Sequence, residues 1–283
     1  MLITSLLFFL IPGLSVACAT SKKPTYDERD PCIVTRRHCA NRTDEAILTN
    51  IPCNNKQGVI IHIGLKTNGG VEPKIKVCFD QFTYRTFWTR HTLHHTWPSG
   101  TVPYNWSNKF FDGLNISDLY RSLPETDKGH LTPVADFNKQ DEKNMTLYYI
   151  NSAPQRRGLN REAWVCLERR LRKTVNNQSR SATIITGTGG VFGIFNKTLS
   201  YTTYRYPAYF FKIFLLPTRN PEIYIGVNTP PENERIPESC RNATVPHWLT
   251  RTYRNKLYQC AFDEKLMADL GLEKQDYNTF SVG

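Results

Sequence analysis

The sequence predicts an α+β fold in which strands predominate, and three observations point there. Seven short runs rich in Val, Ile, Tyr, Phe and Thr are separated by Pro, Gly and Asn, the pattern of strands between turns. Helical spacing of apolar residues is clear over only two stretches, 160–175 and about 246–270. Hydrophobic residues make up 40% of the 283, enough for a sizeable core, and neither Gly nor Pro recurs with a period, which excludes disordered and collagenous chains.

In chain order, the first residues read MLITSLLFFLIPGLSVACAT, an apolar stretch closing on small residues, with Ala17 and Ala19 set as an A-x-A cleavage site. Residues 1–19 are therefore expected to be a signal peptide, the competing reading being a buried N-terminal helix. After Leu2 to Ala17 no apolar run approaches the roughly 20 residues needed to cross a bilayer core, so no membrane span is expected. Two further features fit a secreted, extracellular chain. Asn-x-Ser/Thr sequons stand at Asn41, Asn105, Asn115, Asn144, Asn177, Asn196 and Asn242, which makes a glycoprotein the expectation. Cysteine usage fits an oxidising compartment. Without Cys18, seven remain (Cys32, Cys39, Cys53, Cys78, Cys166, Cys240 and Cys260), an odd number whose pairing spacing alone does not fix. The group Cys32, His38, Cys39 and Cys53 lacks a C-x-x-C pair, so disulfides are the better reading than zinc.

Residues 20–56 are polar and low in apolar periodicity, and are expected to form a Cys-containing N-terminal extension stapled to the body. Residues 57–283 suit a single α+β domain. Strands are expected at 58–65, 74–80, 82–93, 145–151, 182–187, 207–216 and 221–227. The run from Gly187 to Gly193 is followed by no helical pattern and lacks a P-loop Lys, so it reads as a turn between strands.

The formal charge of +11, from 36 Lys and Arg against 25 Asp and Glu, favours a polyanionic partner: nucleic acid, acidic glycan or an anionic surface. On a wheel of the helix expected from residue 160, Ala163, Trp164, Leu167 and Leu171 lie within about 60° of Asn160, so this Asn sits mid-way across the apolar face. Two readings stand side by side. Asn160 is the helix N-cap, following Gly158, or its carbonyl oxygen meets a hard cation or a substrate cleft. Glu168, two turns along at the rim of the same face, can reach that cleft.

Three blocks surround this helix: Thr126 to Phe137 (TDKGHLTPVADF), Tyr148 to Gln155 (YYINSAPQ) and Gly158 to Glu168 (GLNREAWVCLE). Together they resemble the DNA/RNA non-specific endonucleases, secreted or organellar nucleases of the ββα-metal type, and are most similar to the secreted arthropod members. The family pattern Asp-Arg-Gly-His, Asn-x-x-Pro-Gln and Asn-x-x-x-Trp-x-x-x-Glu falls here on Asp127, Lys128, Gly129 and His130; on Asn151, Pro154 and Gln155; and on Asn160, Trp164 and Glu168. The likeness runs from about Val59 to the C-terminus. It implies a ββα-metal endonuclease fold, with a central, mainly antiparallel sheet flanked by helices. It also implies Mg²⁺-dependent hydrolysis of phosphodiesters in DNA, RNA or both, with Mn²⁺ able to substitute. In that scheme His130 is the general base, its imidazole near the ordinary value of about 6.5. Asn160 is the single protein ligand of the metal, Glu168 holds metal-bound waters, Asn151 orients neighbouring groups, and Lys128 replaces an Arg that stabilises the phosphorane.

Lys128 keeps the charge of that Arg but not its planar fork. A second function class therefore stands beside the enzyme: a catalytically weakened, secreted nucleic-acid-binding protein on the same fold. A glycan- or membrane-surface-binding protein explains the charge but not the trio of His130, Asn160 and Glu168. Arg156, Arg157 and Arg161, with Arg169, Arg170, Arg172 and Lys173, surround the site helix as a candidate nucleic-acid track. In RHTLHHTW the strand period sets His91 and His95 on one face and His94 on the other, which favours surface or aromatic packing over a metal site. Trp88, Trp97 and Trp106 are more commonly core than base-stacking platforms.

Overall fold

The computed structural model describes residues 42–96, 106–111, 116–123, 125–195, 204–217, 219–230, 233, 235–240, 243–249 and 256–278. The expected signal peptide, Cys18, Cys32, Cys39, Trp97 and the sequons at Asn41, Asn105, Asn115, Asn196 and Asn242 lie outside the described residues.

Among the described residues there are twelve strands: β1 Asp44–Cys53, β2 Gly58–Thr67, β3 Gly70–Asp80, β4 Arg85–Leu93, β5 Thr126–His130, β6 Ser152–Arg156, β7 Ala182–Gly189, β8 Gly193–Phe195, β9 Tyr204–Tyr206, β10 Tyr209–Leu215, β11 Glu222–Val227 and β12 Leu257–Cys260. The helices are α1 Ile116–Arg121, α2 Gln140–Asn144, α3 Val165–Gln178, α4 Glu264–Asp269 and α5 Lys274–Tyr277. Eight strands form one antiparallel sheet in the order β1-β2-β3-β4-β7-β10-β11-β12. The fold is α+β, as the sequence predicts.

Around β10, the sheet's sixth strand, both faces of the sheet are covered, which is why it reads YFFKIFL with every residue buried. Phe210 and Phe214 face α3, packing with Trp164, Leu167 and Leu171. Phe211, Ile213 and Leu215 face the other way, against Leu266, Met267 and Leu270 of the C-terminal helices. The helix side tolerates close approach because Gly226 lacks a side chain: a Cβ there meets the Trp164 ring at 2.9 Å. Disulfides Cys53–Cys78 and Cys240–Cys260 staple the second layer. Cys166 is also disulfide-bonded, so no thiol is free among the described residues.

Three expectations are corrected. The segment 145–151 is not a strand; Met145, Leu147, Tyr148, Tyr149 and Ile150 form a compact buried plug, and β6 starts only at Ser152. A short apolar run does not distinguish a strand from a buried turn. Residues 257–260, expected within a helix, pair as β12 with β11. The described part of residues 20–56 holds β1, the sheet's edge strand, paired along β2 with a bulge between Leu48 and Pro52, and the Cys53–Cys78 disulfide ties it to β3. Finally, Gly187 to Gly189 are within β7, and the turn begins at Gly190, whose φ is +60°. Among the described residues, no helix is long and apolar enough to cross a membrane.

Candidate active site

A two-stranded ribbon and a helix build the site. β5 pairs antiparallel with β6, register Asp127 opposite Gln155 and Gly129 opposite Ala153, and the chain then turns directly into the site helix. Gly129 is a packing requirement: a Cβ there would lie 2.4 Å from Gln155 Oε1, so the two motif residues fit only as a pair.

The helix opens with a π-helical turn, Leu159–Trp164, before α3. Gly158 holds the N-cap position, so Asn160 is inside the helix and the N-cap reading is excluded. Single π turns widen a helix and recur at functional positions. Asn160 Nδ2 donates to Asp127 Oδ2 at 3.0 Å, and Arg161 donates to the same carboxylate at 2.7 and 2.5 Å. A carboxylate only accepts, so Asp127 fixes which end of the amide it takes and leaves Asn160 Oδ1 as the uncommitted oxygen.

His130, Asn160 and Glu168 line one cavity of about 760 Å³, together with Pro133, Arg169, Arg172 and Lys173. His130 Nε2 is wholly shielded from solvent and has no hydrogen-bond partner among the described residues. Its ring lies 4.9 Å from that of Trp106. Burial, and then the Lys128 charge, lower the imidazole to about 4, not the ordinary value the sequence implied.

The other expected residues are placed differently. Lys128 Nζ sits over the rings of Trp106 and Tyr149, 5.4 and 5.1 Å from their centroids, and does not line the cavity. Asn151 is fully buried and bonded to backbone: Oδ1 accepts from Thr132 N, and Nδ2 donates to the carbonyls of Thr132 and Thr146. It holds the chain that follows His130. Arg157 and Arg161 are half-exposed and paired with Asp127, and neither they nor Arg156 line the cavity. The cations that do line it are Arg169, Arg172 and Lys173.

Behind the cavity lies a buried charge network that motif spacing did not reveal. Lys212 Nζ, 1% exposed, is 2.7 Å from Thr186 Oγ1 and 3.9 Å from Glu168 Oε1. Asp136 accepts from Arg172 at 2.8 Å and from His91 at 2.9 Å, and His91 Nδ1 lies 3.3 Å from Thr132 Oγ1. Burial pushes the Glu168 carboxyl up, and Lys212 and Arg172 pull it back. Asp136 is buried too, yet the His91 hydrogen bond and the Arg172 charge bring it to about 2, so it is ionised. Lys212→Met leaves the Glu168 carboxylate without its buried cation and is expected to destabilise the protein by about 3 kcal/mol at neutral pH. Urea unfolding checks this. The loss should shrink as pH falls and Glu168 takes a proton, and a pH-independent effect would assign it to packing instead.

The model of the DNA/RNA non-specific endonuclease family matches residues 56–264. The chain belongs to this family. As a family member it is 27% identical over 141 residues to the salivary endonuclease of Lutzomyia longipalpis, an alignment covering 48% of this chain and 34% of that protein. The chain thus matches about a third of its relative's length. Among solved structures it is similar to the crystal structure of the EndoG/EndoGI complex, which concerns the mechanism of EndoG inhibition, at 17% identity and a TM-score of 0.47, covering 71% of this chain and 83% of the other.

Proposed function

We propose that this family member is a secreted, glycosylated, Mg²⁺-dependent endonuclease that hydrolyses phosphodiester bonds of DNA, RNA or both with little sequence preference. The observation that carries the reading is the convergence of His130, Asn160 and Glu168 on one cavity. The residues present fit a hard cation. Asn160 Oδ1 is free of Asp127's hydrogen bonding, the Glu168 carboxylate lies in the same cavity, and six waters of hydration, roughly 180 Å³ in all, fit within it. Asn160 would hold the ion and Glu168 would accept hydrogen bonds from its waters. When bound, Mg²⁺, or Mn²⁺ in its place, offsets negative charge developing on the phosphoryl group and the leaving 3′ oxygen.

The chain's own residues supply the rest. Nε2 being the shielded nitrogen, neutral His130 keeps its proton there and presents the Nδ1 lone pair to a water, taking its proton as the water attacks phosphorus. A phosphate brought within about 4–6 Å raises the imidazole's affinity for the proton it must accept. Arg169 and Lys173 offer positive charge to the substrate backbone from the cavity wall. Arg172 is already committed to Asp136 and serves the scaffold.

The test is incubation of the purified full chain with plasmid DNA and with RNA, in Mg²⁺ and in EDTA. Cleavage of either substrate that EDTA abolishes supports the reading, and metal-independent cleavage overturns the mechanism. Binding without cleavage selects the alternative, a catalytically weakened binding protein, which draws on the position of Lys128 outside the cavity.

Lys128 carries a separate expectation. Because its charge lowers the His130 value, Lys128→Ala should raise it. A base works only when deprotonated, so the acid limb of kcat/KM should move to higher pH while the plateau changes little. A pH series over pH 3–8 measures it. A plateau loss of roughly 10²-fold with an unmoved limb would instead place Lys128 on the phosphate.

A further inference from the structure

On the face of the sheet away from α3, the strand register sets three cationic or protonatable side chains in one row. His62 of β2 is opposite Lys76 of β3, and Lys76 is opposite Arg90 of β4. At about 4.8 Å between strands the row is roughly 10 Å wide. The parallel row two residues along, Ile60, Cys78 and Trp88, is apolar and covered by Leu266 and Met267. The basic row therefore lies where the cover of the C-terminal helices ends.

Like charges directly opposite one another on a sheet are unfavourable unless something negative is set between them. One carboxylate is supplied by α5. Asp276 Oδ1 lies 3.6 Å from Lys76 Nζ, and its Oδ2 is taken by the backbone N–H of Glu273. Lys74, at the edge of the row, is paired with Glu72 at 2.5 Å. Arg90 feels the same Asp276 charge but is half-buried and makes no hydrogen bond or ion pair of its own among the described residues, and His62 makes none either. His62, Lys74, Lys76 and Arg90 line a shallow concavity of about 240 Å³. That is room for one tetrahedral oxyanion and its waters, and too little for a track along a polymer.

We infer that this concavity is a binding site for a single phosphate group, held by the Arg90 fork and the Lys76 ammonium and separate from the catalytic cavity. A half-buried guanidinium with its donors uncommitted is matched by two oxygens of a phosphate in parallel hydrogen bonds, a geometry that ammonium groups do not provide. Burial lowers the Arg90 and His62 values, and a bound dianion reverses that penalty. The site does not depend on the nuclease reading, since Arg90 and its neighbour His91 point to opposite faces of β4. The phosphate could be free or the 5′ end of a nucleic-acid fragment.

Phenylglyoxal modification of the full chain, read residue by residue by peptide mass spectrometry, tests the site. Inorganic phosphate should slow modification of Arg90 by roughly tenfold at saturation, as a charge-assisted pair predicts. A 5′-phosphorylated dinucleotide should protect Arg90 and its dephosphorylated form should not, if the end group is the source; protection by inorganic phosphate alone identifies free phosphate. Lys76→Gln, at a partly exposed position, should weaken the apparent phosphate affinity several-fold, with the melting temperature as a check on folding. The inference is overturned if phosphate leaves Arg90 unprotected, if Lys76→Gln changes nothing, or if a sulfated disaccharide protects Arg90 where phosphate fails, which would make this a glycan site.

Discussion

His130→Ala is expected to slow phosphodiester cleavage by roughly 10²–10⁴-fold, the contribution typical of a general base, while nucleic-acid binding persists. Two observations set the size. His130 is the one histidine among the described residues lining the cavity, so no second imidazole is in place to take the proton. The cavity's cations, Arg169 and Lys173, are untouched by the substitution, so the substrate still docks. Loss of the ring also removes a contact with Trp106, whose centroid is 4.9 Å away, and His130→Gln controls for that packing. Single-turnover rates at saturating Mg²⁺, alongside filter binding, separate the two effects. Equal losses in rate and binding would show a structural role, and wild-type turnover would remove His130 from the reaction.

The acid limb refines this expectation. With the imidazole lowered to about 4, kcat/KM, which reports the free enzyme, should hold until well below pH 6.5. The kcat limb reports the complex and should lie higher, because the bound phosphate favours the imidazolium.

The parts of the fold that the sequence made legible are those where burial pattern and strand type agree. β2, β3, β7, β10 and β11 are bounded by turn residues and rich in β-branched and aromatic side chains, so each was expected within a few residues. The failures have a common cause. Residues 145–151 carry a strand's composition because they fill the core between Trp106 and α1, where burial selects the same residues without selecting the backbone. The helical spacing expected over 246–270 does not hold at Leu257 and Tyr258, which pair instead with β11. Non-local pairing is not written in local periodicity.

The site divides the same way. The helix wheel set Asn160 on the apolar face, and the folded chain explains why an amide is tolerated there: Asp127, 33 residues earlier, takes its Nδ2. Asp136, Arg172 and His91 meet across three elements and left no spacing to recognise. Lys212 did leave a signal, a lone Lys in the otherwise apolar strand YFFKIFL. A cation there must find a buried partner, and the helix opposite supplies Glu168.

Asn160→Ala carries the second large expectation: loss of roughly 10³-fold or more in cleavage, with Mg²⁺ no longer stimulating what remains. The argument rests on what each end of the amide does. Nδ2 is tied to Asp127, and that carboxylate keeps its two hydrogen bonds from Arg161 after the substitution, so no buried charge is stranded. The fold should therefore lose only about 1 kcal/mol, the net worth of one partly exposed hydrogen bond. Oδ1 has no such substitute beside His130: Glu168 is already drawn toward Lys212, and the Oδ1 of Asn176, further along the wall, accepts from Thr96 N–H. Asn160→Asp makes the discrimination sharper. It restores an oxygen but removes the Nδ2 donor and sets a second carboxylate against Asp127, so the like charges should raise one of the two carboxyl values and cost stability that returns as pH falls. Calorimetric Mg²⁺ titration, melting temperature and cleavage rate, measured on both variants, decide the matter. If Asn160→Ala binds Mg²⁺ as the parent does and cuts at the parent's rate, Asn160 is only Asp127's hydrogen-bond partner and the metal is held elsewhere.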